Sequence, residues 1–174
     1  RKIAGKYKAG LGLRYLADYI GDSIISASFQ EFYLKNNLKY AKSDDFKKIV
    51  SSKTTKDISW FFEDYLKTTK KIDYTIKKAI IKDDSVYVTI KNKRNMTAPV
   101  ALYGLKNKQV KFKKWLTNID STKTIAIPKN GFNRVSLNFE NSYPEFNSMD
   151  NWKKVGKNIL NKPIQFKLYK DIND

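Results

Sequence analysis

Asp57-Ile-Ser-Trp-Phe-Phe-Glu-Asp-Tyr-Leu66 is the stretch around which the rest of the chain is organised. Ile58, Phe61, Phe62, Tyr65 and Leu66 fall at i, i+3, i+4, i+7 and i+8, one continuous face of an α-helix. Thr55 stands where an N-cap would, and Asp57 places negative charge in the first turn, where the helix dipole favours it. The pattern predicts a helix over 56–67. Upstream, apolar residues recur with helical spacing; downstream of Lys71 they alternate with period two. The stretch is a joint between two halves, and its aromatic side chains can pack against both.

The upstream half reads as three further helices. Residues 3–20 carry Leu13, Leu16 and Ile20 on one stripe, with Gly21 as C-cap. Gly5, Gly10 and Gly12 are costly inside a helix, about 1 kcal/mol each against Ala, so they mark close packing or backbone approach to a site. Asp22 or Ser23 caps a second helix with Ile25, Phe29, Phe32 and Tyr33 at helical spacing, ended by Asn36-Asn37. Ser43 caps a third, with Asp44 and Asp45 in its first turn and Phe46, Ile49 and Val50 facing in. Short connections imply antiparallel neighbours in a compact bundle.

Beyond Thr68-Thr69-Lys70, Ile72, Tyr74 and Ile76 alternate with polar residues, as a half-buried strand requires. Val86, Val88 and Ile90 repeat this after an Asp83-Asp84-Ser85 turn. Further strands are predicted over 99–105, 109–116, 122–127 and 133–139, with Asn130-Gly131 the strongest turn signal. Tyr143-Pro144-Glu145 breaks the last of these, Asn151-Trp152 reads as opening one helical turn, and 164–169 as a final short strand. The fold class expected is α+β: a helical subdomain over 1–70, an antiparallel β-sandwich over 71–145, and a C-terminal extension over 146–174. Arg1 falls in mid-pattern and the chain ends on polar residues, which reads as a piece of a longer protein.

Composition narrows the chemistry. The chain is 41% hydrophobic over 174 residues, enough for a real core. It has no Cys and no His, and only four Glu, so a zinc hydrolase site built wholly within it is not expected. The net charge of +18 suggests a polyanion partner, yet only Arg1, Arg14, Arg94 and Arg134 among the 35 basic residues are arginine. Nucleic-acid readers depend on arginine's bidentate geometry, which argues against nucleic acid and for a solvated lysine surface. No apolar run approaches the roughly 20 residues of a membrane span, so no transmembrane segment is expected here.

Three motifs, in order, carry a resemblance. Tyr7-Lys8-Ala9-Gly10 precedes Leu13-Arg14-Tyr15-Leu16 and Ile20-Gly21; Ser43-Asp44-Asp45-Phe46 follows; then comes the aromatic stretch at 57–66. Together they resemble the aminopeptidase N-type zinc metallopeptidases, whose thermolysin-like catalytic domain ends in helices and is followed by a small β-sandwich. The resemblance covers nearly the whole chain, but only the part downstream of that family's zinc site. It implies a gluzincin-type parent that hydrolyses peptide bonds with a zinc-activated water. The His-Glu-x-x-His ligands lie outside this chain, so zinc is expected in the parent and no cofactor here. The implied partners are the rest of the parent catalytic domain and, in the parent, a peptide substrate. The family's Tyr-x-Lys-Gly tyrosine falls on Tyr7, implying a phenol that stabilises the oxyanion of the tetrahedral intermediate. Ala9 stands where the family usually has lysine.

Other candidates have plainer readings. Trp60 lies off the Ile58–Phe62–Tyr65 face and could line a groove, although an aromatic helix at a joint is more often core. Asp44-Asp45 fits a helix N-terminus and Asp83-Asp84 a turn, better than carboxylate dyads or calcium ligands. Five lysines between Lys106 and Lys114 form the densest basic run, with Lys111 and Lys113 expected outward and Val110 and Phe112 inward on a solvated edge. Asn95-Met96-Thr97 fits a glycosylation sequon. The alternatives to a peptidase part are a non-catalytic basic binding module and a structural or adhesion sandwich.

Overall fold

The computed structural model describes residues 2–37 and 39–157. Four helices come first: α1 (Lys2–Ile20), α2 (Asp22–Asn36), α3 (Ser43–Lys53) and α4 (Trp60–Tyr65). Eight strands follow: β1 (Tyr74–Lys82), β2 (Ser85–Asn92), β3 (Val100–Lys106), β4 (Gln109–Leu116), β5 (Thr122–Pro128), β6 (Arg134–Leu137), β7 (Trp152–Lys154) and β8 (Gly156–Lys157). They form two four-stranded sheets, ordered β5-β2-β1-β8 and β4-β3-β6-β7. Every pairing is antiparallel except β1 with β8. The fold class is α+β with a β-sandwich, as the periodicities predict.

The core is continuous across the joint. Tyr15, Leu16, Tyr19 and Ile20 of α1 and Trp60, Phe61, Phe62 and Tyr65 of α4 belong to one buried cluster with Tyr74, Ile76, Val88, Ile90, Val100, Leu102 and Val135 of the sheets. The period-two residues that announced β1 and β2 are therefore the inner face of the sandwich, and α1 and α4 close its end. Gly12 makes this possible: a Cβ there would collide with the rings of Tyr65 and Phe61. Gly10, by contrast, faces open space.

Several local expectations are corrected. The expected helix over 56–67 is shorter and wound with i→i+5 bonds, Leu66 N–H donating to Phe61 O at 3.0 Å. A wider turn separates successive side chains by a smaller angle, so Trp60 turns inward with Phe61, Phe62 and Tyr65. Asp57, not Thr55, caps it: its Oδ1 accepts from the Ser59 N–H at 2.8 Å and the Ser59 hydroxyl at 2.6 Å. Ser43 is the first helical residue of α3 and not its cap; Asp45 Oδ2 reaches back to the Lys42 N–H at 2.9 Å. Gly21, at φ 116°, links α1 to α2, and Asp22 already lies within α2. In α2, Ile25 is buried, but Phe29 and Tyr33 are exposed.

In the sandwich, Asn130-Gly131 is a crossover between sheets rather than a hairpin, since β5 and β6 lie in different ones. Two-residue hairpins lie at Asp83-Asp84, between paired Lys82 and Ser85, and at Asn107-Lys108, where both residues have positive φ (50° and 64°) between paired Lys106 and Gln109. A bulge leaves Lys111 opposite no residue of β3, because Gly104 pairs with Phe112 and Leu105 with Val110. One extra residue breaks the alternation: Val110 is exposed instead of inward and Phe112 only half-buried. Asn151-Trp152 opens no helical turn; Trp152 starts β7, paired with Ser136. The strand expected over 164–169 lies outside the described residues.

Candidate functional site

Tyr7 sits on α1 and is 72% exposed. Its orientation follows from Lys8. The Lys8 ammonium donates to Thr68 O at 2.7 Å, lies 5.3 Å from the centre of the Tyr65 ring, and Tyr65 Oη donates back to Lys8 O at 3.1 Å. These contacts clamp α1 to the segment between α4 and β1. With Lys8 turned inward, Tyr7 and Leu11, one turn apart on the same face, both stand exposed. On α2, Phe29 and Tyr33 form a second exposed i, i+4 pair. The helical layer thus presents two such pairs, one on α1 and one on α2.

The inner face is locked to the sandwich. Tyr15 is fully buried, 4.5 Å from the Trp60 ring and 4.4 Å from Tyr143 between ring centres, and its hydroxyl donates to Pro99 O. Burial pushes the Tyr15 phenol well above its ordinary pKa, so it is a neutral donor. At the other end of the joint, Lys113 donates to Asp18 Oδ1 of α1 at 3.0 Å and to Glu140 Oε2 at 2.8 Å. Tyr103 Oη also donates to Glu140 Oε2, at 2.8 Å. Burial alone would lower the Lys113 pKa, but the bonds to Glu140, Asp18 and Tyr103 outweigh it and the pKa is raised. Hydrogen bonds from Lys113 and then Tyr103 hold Glu140 below its ordinary value. Lys113 is therefore not a freely solvated lysine of an edge strand, as its sequence context suggests; it ties β4 to α1.

Glu145 is the other group that sequence reasoning passed over, having treated it only as part of a strand breaker. Its carboxylate accepts from the Tyr74 N–H at 2.8 Å and from Asn151 Nδ2 at 2.5 Å. Burial pushes its pKa up to about 7, against the pull of those two hydrogen bonds, and the charge of Asp73 adds to the rise. It lines a cleft of about 480 Å³ with Tyr65, Ile72, Pro144 and Phe146, rimmed by Lys8, Lys70 and Lys71. The signal available in the sequence was an acid inside an apolar, Pro-containing segment, too common to single out.

Of the remaining candidates, Trp60 is 6% exposed and packs on Tyr15, Tyr19 and Phe61, so its main role is core. Asp45 serves the α3 N-terminus and Asp83, at φ 54°, the β1–β2 turn. Asn95 is exposed, whereas Met96 is buried. Among the described residues no three His, Cys, Asp or Glu side chains stand together where they could hold a metal ion. The exposed phenols among the described residues are Tyr7 on α1, Tyr33 on α2, Tyr40 and Tyr87. No described helix is long and apolar enough to cross a membrane.

No protein-family model matches the chain, and no curated protein matches its sequence. Among solved structures, it is similar to the crystal structure of Legionella pneumophila aminopeptidase A in complex with aspartic acid, at 17% identity and a TM-score of 0.66. The match covers 80% of this chain and spans 17% of the length of that one. What the two share is a fold: this chain is built like one segment of an aminopeptidase.

Proposed function

We propose that this chain is the end of the catalytic domain, plus the following sandwich, of a gluzincin-type zinc aminopeptidase. The observation that carries the reading is the shared fold, which runs through helices and sandwich alike over 80% of this chain in a neighbour that is an aminopeptidase. The order of the Tyr7–Gly10, Ser43–Phe46 and Asp57–Leu66 motifs supports the same assignment from the sequence.

In this reading the helical layer is one wall of the substrate cleft, and its exposed face, with Tyr7, Leu11, Phe29 and Tyr33, meets the rest of the parent catalytic domain and its peptide substrate. The sandwich braces that wall through Tyr15 and Lys113. The metal belongs to the parent, and no step at it is assigned to residues of this chain. Tyr7 supplies a hydroxyl donor to the oxyanion that develops as the peptide carbonyl becomes tetrahedral, an interaction stronger in the transition state than in the ground state. The contacts of Lys8 with Thr68 and Tyr65 fix the stretch of helix from which Tyr7 projects.

The test is Tyr7→Phe in the full-length protein, which removes one oxygen and no packing. It should lower kcat by roughly 10²–10³-fold, the usual effect of deleting one oxyanion donor, with KM nearly unchanged. A variant with wild-type kcat would remove Tyr7 from the chemistry. Absence of peptidase activity in the full-length wild type would end the enzyme reading itself.

A further inference from the structure

A cleft of about 470 Å³ lies between the joint and the 97–99 and 117–118 segments of the sandwich. That volume falls within the roughly 300–1,000 Å³ of small-ligand sites. Its lining inverts the charge of the molecule. The chain carries 35 basic and 17 acidic residues, yet Asp57, Glu63 and Asp64 line this cleft and no Lys or Arg does.

The three carboxylates are not equivalent. Glu63 is bonded to Lys47 and Lys67, and Asp64 to Lys70, all from outside the cleft. Asp57 has no ion-pair partner among the described residues, and both bonds it accepts, from Ser59, fall on Oδ1. Its Oδ2 accepts none from the described residues. The second observation is independent of charge: Trp60 also lines the cleft, is 6% exposed, and its buried indole N–H has no acceptor among the described residues. A buried donor left unpaired is a standing cost that an incoming acceptor would relieve.

We infer that this cleft binds a lysine or arginine residue of a peptide, its side-chain cation on Asp57 and a backbone carbonyl on the Trp60 indole N–H. Each half of that ligand answers one observation. A bare metal ion would need converging carboxylates, which the described residues do not provide. A simple polyamine would satisfy Asp57 but offers no acceptor to Trp60. Tyr19 also lines the cleft; the chain's own Lys56 places its ammonium 4.8 Å from the centre of that ring, the kind of cation contact the ligand side chain would make nearby. The site stands whether or not the chain serves a peptidase, and its failure would leave that reading untouched.

The experiment is a titration of the isotopically labelled chain with N-acetyl-lysine N-methylamide at low ionic strength, following the indole N–H resonances of the three tryptophans. Trp60→Phe identifies the Trp60 signal by its loss. Saturable movement of that signal is expected, with the isosteric N-acetyl-norleucine N-methylamide binding at least threefold more weakly. Asp57→Asn keeps the capping bonds with Ser59 and removes the charge, so affinity should fall roughly three- to tenfold. Thr117→Lys, an exposed change at the rim, should weaken binding in the same sense without touching the core. A Trp60 resonance that does not move, equal binding of the two probes, or unchanged affinity in both charge variants would each overturn the inference.

Discussion

The helical layer and the sandwich bury the same kind of core yet finish their surfaces differently. On the sandwich side, lysines such as Lys77, Lys78, Lys91 and Lys111 stand in solvent among exposed Tyr87, Val110, Phe139, Phe146, Met149 and Trp152, and the Arg94 and Arg134 guanidinium groups cover Phe146 at 3.8 Å and Trp152 at 4.4 Å. On the helical layer, Tyr7, Leu11, Phe29, Tyr33, Leu34 and Tyr40 are all exposed. In the proposed reading the sandwich stays in water, and one side of the helices meets the rest of the parent domain. Their inner side is as closed as the sandwich itself.

That contrast can be broken most forcefully at Tyr15, where the two regions share a core. Tyr15→Ala deletes a fully buried ring stacked between Trp60 and Tyr143 and leaves the Pro99 carbonyl without its donor. It should cost about 3–5 kcal/mol in denaturant unfolding, and the loss should appear in one transition spanning helices and sheets. Two separate transitions in the wild type would show that the halves are independent.

Glu145 sharpens the comparison from the sandwich side. Its pKa in the folded chain is about 7, above its ordinary 4.5, so between these values the folded state holds a proton that the unfolded state has lost. Stability therefore falls as pH rises from about 4.5 to about 7 and is level beyond, with a total change of up to about 3 kcal/mol from this group. Glu145→Gln keeps an acceptor for the Tyr74 N–H and should abolish that part of the pH dependence. An unaltered stability–pH curve in the variant would show that the carboxyl titrates normally.

The smallest effect is expected at Gly12, where α1 approaches α4. Gly12→Ala gains helix propensity, yet its methyl meets the Tyr65 and Phe61 rings, and the balance should be a loss of about 1–3 kcal/mol. Gly10→Ala, facing open space, should stabilise the chain by up to about 1 kcal/mol. Equal effects of the two substitutions would mean that α1 does not pack as closely as described.

The sequence made the class and most elements legible because strong periodicities recorded burial directly. Ile72, Tyr74 and Ile76, or Phe46, Ile49 and Val50, point inward where their spacing says. It failed where a single residue changes the count. The i→i+5 winding of α4 turns Trp60 from an off-face residue into core, and the extra Lys111 in β4 leaves Val110 facing out. Neither has a composition of its own. Lys113 and Glu145 were obscured for another reason: their partners, Asp18 and Tyr74, are 95 and 71 residues away in sequence. Tyr7 is singled out only by the motif around it, since nothing local distinguishes it from any other helical tyrosine.

The central claim is that the full-length protein covers the exposed side of the helices, and side-chain labelling tests it most directly. Hydroxyl-radical modification of Tyr7, Phe29 and Tyr33 should be high in the chain alone and fall severalfold in the full-length protein, while Tyr87 of the sandwich stays unchanged in both. Equal modification of the helical residues in the two forms would contradict the claim and leave the helices, like the sandwich, facing water.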